Sequence, residues 1–370
     1  MVAVVAAACG GDNRVAFDPT PTASASATTP TPTPAPTASA TPAPANVYAH
    51  AGLGGVNPVT AGALPRVYVP NSMSSTVTVI DPATMKIVDS FDVGELPQHV
   101  TPSWDMKTLY VNNNKGDTLT PIDPRTGKRG ESFTVVDPYN LYFTPDGRYA
   151  IVVAERLRTL YFRDPRTWKV IKTVEIEHLG PNHLDFSADG RYLLISCEFS
   201  GYVVKVDVQR LAVSKSLYVG GKPADVRLSA DGKAFFVANE HRGGVSVIDG
   251  ETMTQTAFVP TGSGAHGFVV SRDGRSLYVT NRTGGSVSVL DMATRRVVEK
   301  WETGGSPDMG GVSVDGTRLW VSNRYGGSVM AIDTRDGRVV ARIAVGAGPH
   351  GLCVFPQPGR YSLGHTGNYR

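Results

Sequence analysis

The sequence predicts an all-β fold: a seven-bladed β-propeller of four-stranded antiparallel blades, its ring closed by the C-terminal strand. Three observations predict it. An aromatic or apolar residue opening one strand recurs at Tyr68, Tyr110, Ile151, Leu194, Phe236, Tyr278 and Trp320, at intervals of 42, 41, 43, 42, 42 and 42. An aspartate closing the next strand recurs at Asp81, Asp123, Asp164, Asp207, Asp249, Asp291 and Asp333, with the same six intervals. Two markers hold one period where chance strand patterns drift, and a four-stranded unit of this length, repeated, is the mark of a propeller. Finally, the repeats begin at Arg66 in the second strand of a blade, and the missing inner strand stands at the other end, where Gly351-Leu-Cys-Val-Phe355 matches Gly267-Phe-Val-Val-Ser271. A ring closed this way leaves no open sheet edge between its first and last blades.

The unit is clearest from Gly264 to Val298. Phe268–Ser271 is an apolar strand, and Arg272-Asp273-Gly274 is a turn with glycine where the backbone takes positive φ. Leu277–Thr280 is rich in β-formers, Gly284-Gly285 turns the chain again, and Val287 and Val289 alternate with serines. Asp291 closes the third strand, where its carboxylate accepts from following backbone N–H groups. A fourth strand follows from Arg296 to about Trp301. Such a meander cannot bury both faces alone; it needs its neighbours.

The organisation along the chain follows. Residues 1–9 resemble the end of a lipoprotein signal: Met-Val-Ala-Val-Val-Ala-Ala-Ala and then Cys9, the expected lipidation site. Residues 10–46 are dominated by Pro, Thr, Ser and Ala, too poor in apolar surface to offset the entropy of ordering, and read as a disordered tether. Residues 47–65 are a glycine-rich, irregular lead-in expected under the first blade. The propeller occupies 66–356, and the tail 357–370, with Tyr361 and Tyr369, is expected against the surface. Lipid, tether and folded domain together imply a protein anchored outside the cytoplasm, at the bacterial cell surface or in the periplasm.

The charge balance, 36 basic against 33 acidic residues and a net +3, gives no case for nucleic acid, nor for a membrane contact beyond the lipid anchor. Cys197 and Cys353 belong to opposite parts of the ring and are expected to be buried free thiols.

Tyr278-Val-Thr-Asn281 is the motif for which the YVTN family of β-propeller repeats is named. Variants stand at Tyr68–Asn71, Tyr110–Asn113, Phe236–Asn239 and Trp320–Asn323, while Ala154 and Cys197 replace the asparagine in the third and fourth blades. The Asp-Gly turns at 146, 189, 231, 273 and 315 also resemble that family, over roughly 66 to 356. The Gly-His and Trp-Asp dipeptides of WD40 repeats are missing. Some propellers of the YVTN type contact DNA, but the mixed charge and lack of aromatic–basic alternation argue against that here.

In a propeller the first strand of each blade lines the central channel. Aligning the loops that lead into those strands gives a two-residue layer: Gln98-His99, Tyr139-Asn140, Asn182-His183, Ala224-Asp225, His266-Gly267, Asp308-Met309 and His350-Gly351. His99, His183, His266 and His350 recur two repeats apart but occupy two registers of the pair. They are the candidate metal ligands, since imidazoles converging on an axis suit copper, zinc or haem iron; the alternative is hydrogen bonding to neighbouring loops and channel water. Asp225 and Asp308 complete the polar layer. A further layer on this face carries Arg156, Arg242, Arg282 and Arg324 interleaved with Glu155, Glu198 and Glu240, where guanidiniums could hold an anionic ligand or form a solvated rim.

No Gly-x-Ser-x-Gly elbow, P-loop or dinucleotide fingerprint occurs, so no catalytic residue is assigned. The expected function is a non-enzymatic, monomeric binding propeller presenting its Arg/His face to a small anionic ligand or a surface protein, with no cofactor. The rival comes from resemblance: the fold is similar to the haem d1-binding domains of nitrite reductases and the copper-binding propeller of nitrous-oxide reductase, which implies a redox protein with copper or haem d1 on the channel histidines. A propeller lactonase shares only the general architecture.

Overall fold

The computed structural model describes residues 46–365 and 370. Cys9, nearly all of the tether and Tyr369 lie outside the described residues. Within them the chain forms seven four-stranded antiparallel sheets. The sixth blade runs Ala265–Val270, Ser276–Asn281, Ser286–Asp291 and Arg296–Glu302 from the channel outward. The first blade takes its inner strand, Cys353–Phe355, from the far end of the chain; it pairs with Arg66–Asn71 in the register Arg66↔Phe355, Val67↔Val354, Tyr68↔Cys353. The predicted closure is what the chain adopts.

Burial explains the strand sequences. Inner strands such as Pro223–Leu228 are buried along their length, because neighbouring blades cover both faces, while outer strands such as Ala212–Tyr218 are largely exposed. The apolar clusters lie between blades: Tyr278 and Trp301 of the sixth pack with Leu319, Val321 and Met330 of the seventh. Each closed sheet face therefore stabilises two units at once.

The marker residues hold the turns. The seven strand-closing aspartates accept backbone N–H groups two or three residues on, as in Ala83 N to Asp81 at 2.9 Å and Thr294 N to Asp291 at 2.6 Å. The asparagine of the YVTN motif ties the end of its strand to the start of the next: Asn281 Nδ2 donates to Ser286 and Ser288, and Asn113 Nδ2 to Thr118 and Thr120. Cys197 and Cys353 are buried and free.

Along the channel, side chains of one blade bind the backbone of the next. Leu184 N donates to Tyr142 Oη at 3.1 Å, Leu228 N to Asp185 Oδ2 at 2.8 Å, and Phe268 N to Asp225 Oδ2 at 2.8 Å.

Two expectations need correction. The lead-in does not stay beneath the first blade. It starts at the fifth, where Val47 N donates to Ala230 O and Tyr48 Oη to Leu228 O, crosses the face of the Asp-Gly turns, and reaches the first and second blades only at Val59, Ala63 and Leu64. Tyr48 needs an apolar seat with a hydrogen-bond acceptor, and the fifth blade supplies both. The tail, likewise, leaves the surface after Tyr361, which stacks on Trp104. Leu363, His365 and Arg370 are buried. Phe143 N donates to Leu363 O at 2.9 Å and His365 N to Leu141 O at 3.1 Å, so the tail pairs with the channel-facing edge of the third blade. That edge offers unpaired backbone groups away from solvent, a strong pull on a short segment with no strand pattern of its own.

Candidate functional site in the central channel

The two-residue layer read from the sequence lies on the channel wall, and its polar members are buried. Its two registers separate the histidines into two groups. His266 and His350, at the first position, meet Asp308, also at the first position; His99 and His183, at the second, lie one residue deeper and meet His365 of the tail.

The group nearer the mouth is a closed ionic network. Asp308 is fully buried and lies 3.0 Å from His266 Nε2, 2.6 Å from His350 Nδ1 and 2.9 Å from Arg282 Nε, with Arg324 Nη1 at 3.7 Å. His266 Nδ1 lies 2.7 Å from Glu240, which also accepts Arg282 at 2.7 Å and Lys222 at 2.9 Å. Burial alone would raise the Asp308 carboxyl, but Arg282, His350 and His266 outweigh it and hold the group well below the usual range. Burial and Arg282 push His266 down, yet Asp308 and Glu240 win and its pKa is raised, which favours the protonated ring. His350 goes the other way, lowered to about 3 chiefly by burial. A neutral His350 donates Nδ1–H to Asp308.

The deeper group has no such partners. The ligating nitrogens of His99, His183 and His365 lie within 4.8 Å of one another. Ring centroids are 3.9 Å apart for His99–His365, 4.6 Å for His183–His365 and 5.3 Å for His99–His183. Both ring nitrogens of His99 and His183, and Nε2 of His365, have no hydrogen-bond partner. Burial pushes all three well below the ordinary value, so they are neutral at pH 7; the next cause is the neighbouring imidazoles for His99 and His183 and Arg227 for His365. Tyr139 borders His99 and His183 edge-on.

The remaining candidates divide. Arg282 and Arg324 face the channel. Arg156 sits on the rim, held by Asp137 at 2.8 Å and Asp117 at 2.9 Å. Arg242 points outward, donating to Val219 O and lying 4.1 Å over the Phe258 ring. Asp225 is spent on the backbone of Val226 and Phe268 and on buried Arg227, 3.6 Å away. The sequence reading missed Asp137, Arg227, His365 and Arg370. Arg227 had a signal, standing two residues beyond Asp225 on the same face of its strand. His365 had none, because it belongs to no repeat.

A family model described as a YNCE-like beta-propeller matches residues 37–360. The chain belongs to the YNCE-like β-propeller family. No curated protein matches it. Among solved structures, this YNCE-like propeller is similar to the hydrazine synthase of Kuenenia stuttgartiensis, at 20% identity and a TM-score of 0.65 over 74% of this chain and 93% of that one. It is similar to a functionally unknown protein from Desulfotomaculum acetoxidans DSM 771, at 18% identity and a TM-score of 0.69 over 78% and 98%. It is also similar to the dihydro-heme d1 dehydrogenase NirN in complex with DHE, at 17% identity and a TM-score of 0.61 over 79% and 75%. At these identities the likeness is one of fold.

Proposed function

We propose that this YNCE-like propeller is a non-enzymatic binding protein, anchored outside the cytoplasm through Cys9, that takes a small polar ligand with one anionic group at the mouth of its channel. One observation carries the reading. Gln98 Oε1, Asn182 Oδ1 and Arg324 Nη1, from the second, fourth and seventh blades, are buried polar atoms without hydrogen-bond partners. Each such atom costs about 1–3 kcal/mol while unmet. Two amide oxygens and a guanidinium suit a molecule that brings N–H or O–H donors together with a carboxylate: an amino acid or a small hydroxy acid. Lys222 is taken up by Glu198 and Glu240, Arg282 by Glu240 and Asp308, and Arg156 by Asp117 and Asp137, whereas Arg324 keeps only a 3.7 Å contact with Asp308 and no hydrogen bond from Nη1.

A calorimetric screen of amino and hydroxy acids against the full chain tests this. Arg324→Ala should weaken the best ligand about 10- to 100-fold, the worth of one charge-assisted hydrogen bond, with the melting temperature kept. Binding that ignores Arg324→Ala, or no ligand from either class, would sink the reading. An intact mass of membrane-extracted protein showing an unmodified Met1 would remove the anchor.

The buried channel histidines favour a second reading, a cofactor-carrying propeller, as does the likeness to NirN solved with DHE. Imidazoles packed this closely leave no slot for a planar macrocycle between them, so a haem would have to lie over the mouth. A visible spectrum of the purified chain separates the two.

A further inference from the structure

We propose that His99, His183 and His365 form a three-imidazole site for a single late first-row transition metal ion, copper(I) by best fit, with the C-terminal tail supplying the third ligand. The three rings converge from the second blade, the fourth blade and the tail, and their ligating nitrogens already lie within 4.8 Å of one another. Nitrogens on a tetrahedral ion stand about 3.3 Å apart, so small ring rotations close the set. The unmet ring nitrogens make the case specific. Five of them are buried without a partner among the described residues, an arrangement that costs stability unless something accepts their lone pairs.

The donor set selects the metal. Three imidazoles without carboxylate or thiolate exclude calcium and magnesium and suit copper or zinc. The surroundings choose between those two. Among the described residues no carboxylate belongs to the group, and the buried Arg227 beside it is already balanced by Asp225 at 3.6 Å and Asp185 at 4.0 Å, so no net negative charge awaits a metal ion there. A monovalent ion brings half the charge of a divalent one into this buried space, which favours copper(I) over zinc. The neighbouring group of His266, Asp308 and His350 has a comparable spacing, but its ligating atoms are engaged with one another and with Glu240 and Arg282. It is a structural network beside the metal site. Because the tail provides His365, loading the ion also fixes the tail in the channel.

The site is separate from the Arg324 ligand set, and the two proposals fail independently. The test uses the full chain without affinity histidines, titrated anaerobically with copper(I) against a chromophoric chelator of micromolar affinity, and in parallel with zinc. One equivalent of copper(I) should be retained, and more tightly than zinc. His183→Gln and His365→Gln should each lower the affinity by about a hundredfold or more, whereas His266→Gln should leave it. His365 lies outside the ring, so its variant keeps the blades, which circular dichroism checks. A second readout is digestion by carboxypeptidase: copper should protect the tail of the parent but not that of His365→Gln. Failure to hold either ion against the chelator, zinc bound more tightly than copper(I), or retention unchanged in His183→Gln and His365→Gln would overturn the site.

Discussion

The two histidine groups of the channel use one residue type on one wall, a single residue apart in depth, and behave as opposites. Toward the mouth, every imidazole touches a carboxylate: His266 lies between Glu240 and Asp308, and His350 donates to Asp308. One step deeper, His99, His183 and His365 touch each other and the Tyr139 ring, and His99 meets the mouth group only through the His350 ring, 4.8 Å away between centroids. Acids make the first group a set of fixed charges, with the pKa of His266 raised. Burial without acids makes the second a set of neutral donors of lone pairs. Strand register decides which neighbours a histidine meets, and those neighbours decide its chemistry.

The comparison breaks most violently at Asp308. This carboxylate compensates Arg282, itself only 9% exposed. Asp308→Ala leaves Glu240 as the one carboxylate for both Arg282 and His266 and removes the acceptor of His350, and should cost about 3–5 kcal/mol in urea unfolding at pH 7. The sign with pH follows from its depressed pKa. A carboxyl more acidic in the folded than in the unfolded chain contributes stability above the unfolded value, about 3.9, and that contribution is lost as pH falls toward the folded value. Parent and variant curves should therefore converge in acid. A cost below about 1 kcal/mol at pH 7 would mean the mouth network is not the clamp described.

A smaller effect tests the deeper group through its tail. Leu363 packs with Tyr142, Leu184 and Phe186, and Leu363→Ala should cost about 2–4 kcal/mol and loosen the segment that carries His365. A melt identical to the parent would mean the tail is not seated in the channel. This is also where legibility in the sequence stopped. The ring, its closure by residues 353–355 and the turn aspartates could be read because each repeats a local rule seven times. The two-register pattern of histidines could be read too, and register is what separates His99 and His183 from His266 and His350 in space. The third imidazole could not, because the tail is placed by backbone groups of Leu141 and Phe143 that any sequence would offer. The rim arginines fell short for a related reason. Sequence position put Arg242 on the right face, but the Phe258 ring and the Val219 carbonyl turned it outward.

The smallest effect concerns Glu155, which borders the mouth and shares the Asn182 amide with Glu198. Burial first, then Glu198 and Asp137, push its pKa from 4.5 up to about 8. An acid with a raised folded pKa contributes stability that is complete below the unfolded value and lost as pH rises through the folded one. Between pH 4.5 and 8 the parent should thus lose stability that Glu155→Gln, which keeps the shape without the charge, retains. The two proteins should melt together at pH 4 and separate progressively, with the variant about 2–4 °C higher by pH 9. A constant difference across that range would show that the mouth holds Glu155 ionised throughout. Its carboxylate would then join the fixed charges around His266 and Asp308, and the line between the charged mouth and the neutral interior would move outward by one residue layer.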